Sequence, residues 1–307
     1  MLRKLAATSM ISCQNNLVDF NTLKIKSEAK KLYIPQNMEE FISLLKEGMI
    51  VIGAGSNILF SSSGVEEPVV CTKSLDKIDI KDDIIKVECG YKTQKLSKTV
   101  FENGLSGFEF LIGIPATVGG AIYMNASAHN QCISDFLVSA EIFDTKTKKV
   151  LNLKKEELDF SYRNSILKHK PYILLSAIFK LPTGKKEDIK ALMDENIAFR
   201  KAKQPNLSLP NAGSVFKNPI NMSAGKLIDE CGFRGYKKGD AIVYENHCNF
   251  IINQGNATSL DYSRLIYEIY SKVKEKYNIE LEAEIIYIGK MTDEEKEIWK
   301  VLKKQPK

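Results

Sequence analysis

Two stretches of almost bare backbone constrain this chain more than anything else in it. They are Gly53-Ala54-Gly55-Ser56-Asn57 and Gly113-Ile114-Pro115-Ala116-Thr117-Val118-Gly119-Gly120-Ala121, the second running on through Tyr123-Met124-Asn125-Ala126. Glycine lacks the Cβ that would hold a ligand at a distance, and Pro115 fixes the local backbone. Uncovered amides of this kind approach phosphate groups closely. The first stretch follows the apolar run Met49 to Ile52, which reads as a strand running into a loop. It is not a Rossmann fingerprint, because GxGxxG needs glycine where Ile58 stands and no helix signal opens there. Alone, it would be an ordinary turn. Two such segments together point to a flat, extended, anionic ligand, a description that FAD fits.

The rest of the pattern divides the chain. At 307 residues and 44% hydrophobic content it exceeds what one core usually holds, so two domains are expected. Pro182-Thr183-Gly184-Lys185-Lys186 breaks the composition and places a boundary at 183/184. Ahead of it, strands are expected at Ile84 to Cys89, Val138 to Phe143 and Tyr172 to Leu181. Helices are expected at Met38 to Glu47, capped by Asn37 with Glu40, and at Thr93 to Asn103, stopped by Gly104. Beyond the boundary, Ile189, Leu192, Met193, Ile197 and Phe199 recur at helical spacing over Glu187 to Lys203. Leu265, Ile266, Ile269, Tyr270 and Val273 do so over Leu260 to Tyr277. Both stripes read as core packing. Glu280 to Ile285 alternates acid and apolar residue, the period of a half-buried strand with its glutamates solvated. Thr292 with Glu295 caps a terminal helix.

Composition excludes several classes. The net charge of +6 is spread along the chain without a basic block, a mild bias towards anionic ligands and no nucleic-acid footprint. Six cysteines occur without a CxxC pair and without histidines at ligand spacing, so reduced thiols in a cytoplasmic protein, and no metal site, are expected. Leu5 to Ile11 is too short and too polar for a secretory core. No later run reaches the roughly 18 apolar residues of a membrane span.

Six strings then occur in order. They are GAGSN, GIPATVGGAIYMNA, Tyr162-Arg163-Asn164-Ser165, Ala212-Gly213-Ser214-Val215-Phe216-Lys217-Asn218-Pro219, Ala224-Gly225-Lys226-Leu227-Ile228 and Leu281-Glu282-Ala283-Glu284. Over roughly residues 18 to 290 the chain resembles the UDP-N-acetylenolpyruvoylglucosamine reductases. The distance from Arg163 to Ser214 is short, resembling the subclass without a tyrosine-bearing flap.

The resemblance implies an α+β protein. A two-lobed FAD-binding region of the vanillyl-alcohol-oxidase type would occupy residues 18–183, a substrate-binding domain 184–290 and a helical tail 291–307. It implies NADPH as hydride donor and reduction of enolpyruvyl-UDP-N-acetylglucosamine in cell-wall precursor synthesis, by a cytoplasmic monomer with no nucleic-acid or membrane partner. Gly53, Ala54, Gly55, Ser56, Asn57, Gly113, Ile114, Pro115, Thr117, Val118, Gly119, Gly120, Ala121 and Asn125 would hold the cofactor. Similarity assigns Arg163 and Glu284 to the substrate carboxylate, where negative charge collects, and Ser214 to the proton. Lys203, Lys217 and Asn218 would bind the sugar nucleotide, the lysine acting as a flexible charge for a diphosphate. Gly225 and Lys226 would shape the same cleft. His247 matches a family motif and reads as structural.

Each role has a plainer competitor. Ser214 lies in a turn-like NAGS string where serine commonly satisfies local backbone. Arg163 could be an exposed loop residue, and Lys203 a solvated lysine near a helix end. The chain also departs from the family pattern. Lys26-Ser27-Glu28 replaces a glycine-glycine-proline, Ala283 a proline, Ile286 an arginine and Ser127 a glycine. Two other readings stay open: a flavin oxidoreductase with a different substrate on the same scaffold, and a non-catalytic flavin or nucleotide-sugar binding protein.

Overall fold

The computed structural model describes residues 15–302; the run Met1 to Ile11, Cys13 and residues 303–307 lie outside them. Two compact units emerge, one of residues 31–54 and 67–197, the other of 15–30, 55–66 and 198 onward. Helix and mainly antiparallel sheet are mixed in both, the expected α+β class.

Among the described residues the first unit holds a three-stranded sheet, a five-stranded sheet and the two-stranded hairpin Ser127–Ala128 with Gln131–Cys132. Leu32–Tyr33, Val69–Cys71 and Ile50–Ile52 lie side by side in parallel. The larger sheet runs Lys149–Lys154, Leu137–Asp144, Tyr172–Lys180, Ile84–Glu88, Ile78–Lys81, all antiparallel. Its hairpins follow from their turns. Asp82 takes φ 53° between the last two strands, a conformation that tight hairpins require and aspartate tolerates. Asp144 accepts the amides of Lys146 and Thr147 at 2.9 and 3.2 Å, reversing the chain into Lys149. Helix α1 spans Met38–Leu44, α2 Thr93–Glu102 and α3 Val118–Tyr123. Asn37 caps α1 as expected, but Glu40 reaches back to the amide of Gln36 instead of closing on the cap, and the helix stops at Leu44, short of Glu47. In α2 the buried residues are Thr93, Leu96, Ser97 and Val100, one helical stripe. Phe108 sits in the core with its ring edge-to-face against Phe179 at 5.0 Å and Phe136 at 5.6 Å.

Helix α4, Lys186–Lys203, contains the division between the units. Its expected apolar stripe is only half used. Ile189 and Met193 are buried and Ile197 partly so, whereas Leu192 and Phe199 are 49% and 50% exposed. Residues 189, 193 and 197 follow the i, i+4 row; 192 and 199 belong to a neighbouring row turned away from it.

The second unit carries the sheet Asn211–Ser214, Phe250–Asn253, Ala241–Val243, Lys237–Lys238 and a parallel pair, Ile58–Phe60 with Ile286–Ile288. Three helices complete it: α5 at Ala224–Glu230, α6 at Ser259–Tyr277 and α7 at Asp293–Leu302. All five stripe residues of α6 are buried. Thr258 and Asp261 cap its start reciprocally, and Asn278 ends it at φ 55°. Thr292 and Glu295 cap α7, as expected, and Trp299 donates to Ser263 Oγ at 2.9 Å between α7 and α6.

One expected element is absent. Glu280 to Ile285 forms no strand; it makes a single bridge, Ala283 to Phe216, and regular pairing begins at Ile286. Leu281 and Ile285 are buried, but Glu282 and Glu284 are half-buried, leaving Glu280 alone of the three glutamates exposed. The alternation is real, yet its polar side faces protein.

Truncating Phe108 to alanine removes a ring from a closed aromatic cluster. Urea unfolding should show about 3–5 kcal/mol of lost stability; a loss below about 1 kcal/mol, the range of surface substitutions, would contradict this packing.

Candidate active site

In the first unit the glycine-rich segments meet. Thr117 caps α3, its Oγ1 accepting the Gly120 amide at 3.4 Å. A Cβ placed on Gly53 would lie 2.1 Å from that same Oγ1, so only glycine fits. The amides of Val118 and Gly119 are committed to the carbonyls of Tyr91 and Cys89 at 2.8 and 2.7 Å. Val118 is buried, and a Cβ on Gly119 would meet the Cys89 carbonyl at 3.1 Å, so at these two positions the backbone packs closely and its amides are engaged. Upstream, the Thr93 hydroxyl donates to the Ile114 carbonyl at 2.6 Å and Gln94 Nε2 to that of Ile112 at 3.2 Å, tying the segment to α2. Burial pushes the Cys89 thiol up to about 12, which makes it an inert wall.

Arg163 stands at φ 56° in a tight turn closed by the Ser161–Asn164 bridge. Lys168 Nζ holds its carbonyl at 2.7 Å, and its Nη1 donates to Ser127 Oγ at 3.2 Å. The turn is stapled to the end of the glycine-rich segment. Asn125 Nδ2 donates to the Ser161 carbonyl at 3.0 Å, and Ser165 Oγ to that of Tyr123 at 2.9 Å. Arg163 is half-buried, not a solvated loop residue.

The second unit brings Ser214 and Glu284 together. The Glu284 amide donates to the carbonyl of Val215, next to Ser214, at 2.8 Å, and Lys217 donates to the carbonyl of Glu282 at 2.9 Å. Asn57 Nδ2 holds the Glu284 carbonyl at 3.0 Å, and the Asn57 carbonyl accepts the Ile286 amide at 3.0 Å. Gly55, at φ 66°, leaves only 2.0 Å between its would-be Cβ and the Phe20 carbonyl. Ser214 ends a short strand, not a turn, with Gly213 at φ 74° before it. Thus Gly53 and Ala54 belong to the first unit, and Gly55, Ser56 and Asn57 to the second.

Among the residues expected to bind the sugar nucleotide, Lys217 Nζ pairs with Glu282 Oε1 at 2.5 Å. Asn218 Oδ1 accepts the Ala224 amide at 3.0 Å, at the entry to α5. Lys203 is exposed at the end of α4, and Lys226 is exposed beside Glu230. Sequence reasoning missed Asn249. Buried between strands, it accepts the Phe216 amide at 2.9 Å and donates to the Phe216 carbonyl at 2.8 Å, fixing the backbone between Ser214 and Lys217. An asparagine within Cys248-Asn249-Phe250-Ile251 was the available signal: a polar side chain in an apolar run must find partners.

Comparison with known proteins agrees with this layout. A family model described as an FAD binding domain matches residues 31–154, and one described as the UDP-N-acetylenolpyruvoylglucosamine reductase C-terminal domain matches 204–288. The UDP-N-acetylenolpyruvoylglucosamine reductase of Caldicellulosiruptor saccharolyticus is 40% identical over 281 residues, covering 89% of this chain and 90% of that protein. That of Lachnoclostridium phytofermentans is 36% identical over 304 residues, covering 94% and 96%. The crystal structure of UDP-N-acetylenolpyruvylglucosamine reductase from Thermus caldophilus superimposes with a TM-score of 0.78 at 35% identity, covering 89% of this chain and 97% of that one.

His247 lies against Gly225 and stacks edge-on with Phe250 at 4.8 Å, its Nδ1 accepting the Asn249 amide at 3.3 Å. Burial holds its imidazole below the ordinary value. The unfolded chain therefore binds the proton more readily. The stabilising contribution is complete above about pH 6.5, the unfolded value, and is lost as pH falls through the lower folded value. Denaturant melts across this range should lose part of their pH slope in His247→Gln; an unchanged slope would contradict a buried neutral imidazole.

Proposed function

We propose, from the premise that this chain belongs to the UDP-N-acetylenolpyruvoylglucosamine reductase family, that Arg163, Ser214 and Glu284 carry the family's reaction. That reaction is the NADPH-dependent, FAD-mediated reduction of enolpyruvyl-UDP-N-acetylglucosamine to UDP-N-acetylmuramate, a step of peptidoglycan precursor synthesis. The observation that supports the assignment is the backbone bond from the Glu284 amide to the carbonyl of Val215, the residue after Ser214.

When bound, FAD would supply the relay of reducing equivalents from NADPH to the substrate. The residues of the first unit fit such a group. Gly53 against Thr117 leaves a wall without side chains, and Asn125 Oδ1 is a buried acceptor with no hydrogen-bond partner among the described residues, suited to a cofactor hydroxyl or N–H. We assign Gly53, Ala54, Thr117 to Ala121 and Asn125 to holding it.

When the enolpyruvyl double bond is reduced, its terminal carbon gains a hydride and the carbon bearing the carboxylate gains a proton. Between these events negative charge collects on the carboxylate. Arg163 supplies a fixed cation to that charge, and Glu284, held by its backbone on both sides, orders the same group. Ser214 Oγ gives its proton to the carbon. A serine hydroxyl is a weak acid, but a carbon-centred enediolate is a strong base. Lys203, Lys217 and Asn218 bind the sugar nucleotide; the Glu282 partner keeps the Lys217 ammonium in one place. No helix among the described residues is long and apolar enough to cross a membrane. We place the protein in the cytoplasm, where NADPH is supplied, as a monomer.

Two outcomes follow. Gly53→Ala should lower the flavin-to-protein ratio of the purified, folded protein, because the new Cβ displaces Thr117; full flavin content would remove Gly53 from the cradle. In rapid-mixing experiments, Ser214→Ala should leave flavin reduction by NADPH nearly unchanged and slow the second half-reaction by roughly 100- to 10,000-fold. Equal slowing of both halves would take the proton-donor role from Ser214.

A further inference from the structure

We propose that the Ser127 hydroxyl is a positioning group for Arg163, setting the guanidinium for the carboxylate of the ligand; this rests on the carboxylate role given to Arg163 above. The bond itself is direct: Arg163 Nη1 donates to Ser127 Oγ at 3.2 Å. What makes it a device is how firmly both ends are held.

Ser127 opens a short hairpin, Ser127–Ala128 paired with Gln131–Cys132. Its two turn residues, His129 and Asn130, stand at φ 52° and 60°, the geometry of the tightest hairpin turn, which sets Ser127 opposite Cys132 in register. On the other side Ser127 follows the glycine-rich segment, where the Ala126 amide donates to the Ala121 carbonyl at 2.8 Å and the Ile133 amide to that of Ala126 at 3.0 Å. Arg163 is fixed equally well from its own side by the Ser161–Asn164 bridge and by Lys168 on its carbonyl. Two bonds two residues apart then run between the pieces: Asn125 to the Ser161 carbonyl at 3.0 Å, and Arg163 to Ser127. The first aligns the backbones. The second aligns the side chain.

An arginine side chain loses substantial rotamer freedom when it grips a ligand, and that cost falls if the free protein already holds it in place. A guanidinium carries its donors in a rigid planar fork, so anchoring one Nη1 hydrogen fixes the plane in which the whole group lies.

The test uses the flavin-loaded protein and calorimetric titration with two ligands, UDP-N-acetylmuramate, which has a carboxylate, and UDP-N-acetylglucosamine, which does not. Ser127→Ala should bind the first about five- to tenfold more weakly, within the range of one ordinary lost hydrogen bond, and the second as before. Ser127→Thr, which keeps the hydroxyl, should restore the difference. Flavin content and melting temperature should be unaltered in both variants. Equal weakening of both ligands, or weakening of neither, overturns the proposal. Arg163→Lys separates the levels. If it weakens the carboxylate ligand while Ser127→Ala does not, Ser127 alone loses its role; if neither ligand responds to Arg163→Lys, the reading of Arg163 falls and this inference with it.

Discussion

The backbone from Ser214 to Lys217 is gripped from two sides, and the chemistry of the second unit depends on that grip. On one side Asn249 takes both polar groups of Phe216 while its own carbonyl accepts the Val215 amide at 2.8 Å. On the other, Glu284 donates to Val215 and Glu282 accepts from Lys217. The backbones that carry Ser214, Lys217 and Glu284 are thereby joined by main-chain bonds, which do not depend on flexible side chains. Buried amides demand partners in any case, so the alignment comes from bonds the fold must make anyway.

The first unit solves a different problem. Its glycine-rich segments meet at Gly53 and Thr117, where a hydroxyl that caps a three-residue-on amide also forbids any side chain opposite. Several amides there are already spent on Tyr91 and Cys89. What the segment offers is shape, with a small number of polar groups, Asn125 Oδ1 among them, left to read a ligand. The same Asn125 reaches the turn that carries Arg163, so the glycine-rich segment and Arg163 share a support.

Much of this was legible in the residues. The helical stripe in α6, the stop of α2 near Gly104, the cap of α7 and the long strands of the first unit follow from periodicity and cap chemistry, which act locally. What escaped detection is non-local. Leu192 and Phe199 look as apolar as Ile189 and Met193, and only packing decides which row is covered. The run from Glu280 to Ile285 has a strand's alternation, but the amides of Glu284 and Ile285 both go to the Val215 carbonyl while the Glu282 carbonyl accepts from Lys217, a pattern too irregular for a ladder. Residues 15–30 and 55–66 group with the chain beyond 198, and nothing in their composition announces it. The site residues were visible through resemblance alone, since glutamates 280, 282 and 284 are equivalent in pattern; the structure separates them, with Glu282 on Lys217 and Glu284 on Val215 and Asn57.

The central claim is that this chain passes reducing equivalents from NADPH to an enolpyruvyl sugar nucleotide. An anaerobic titration of the purified wild-type protein, followed at the flavin absorption band, tests it most directly. The account predicts that NADPH bleaches the band and that one equivalent of enolpyruvyl-UDP-N-acetylglucosamine per flavin restores it, with UDP-N-acetylmuramate as product. A reduced flavin that stays bleached when that substrate is added, and recovers only on admitting oxygen, would contradict it.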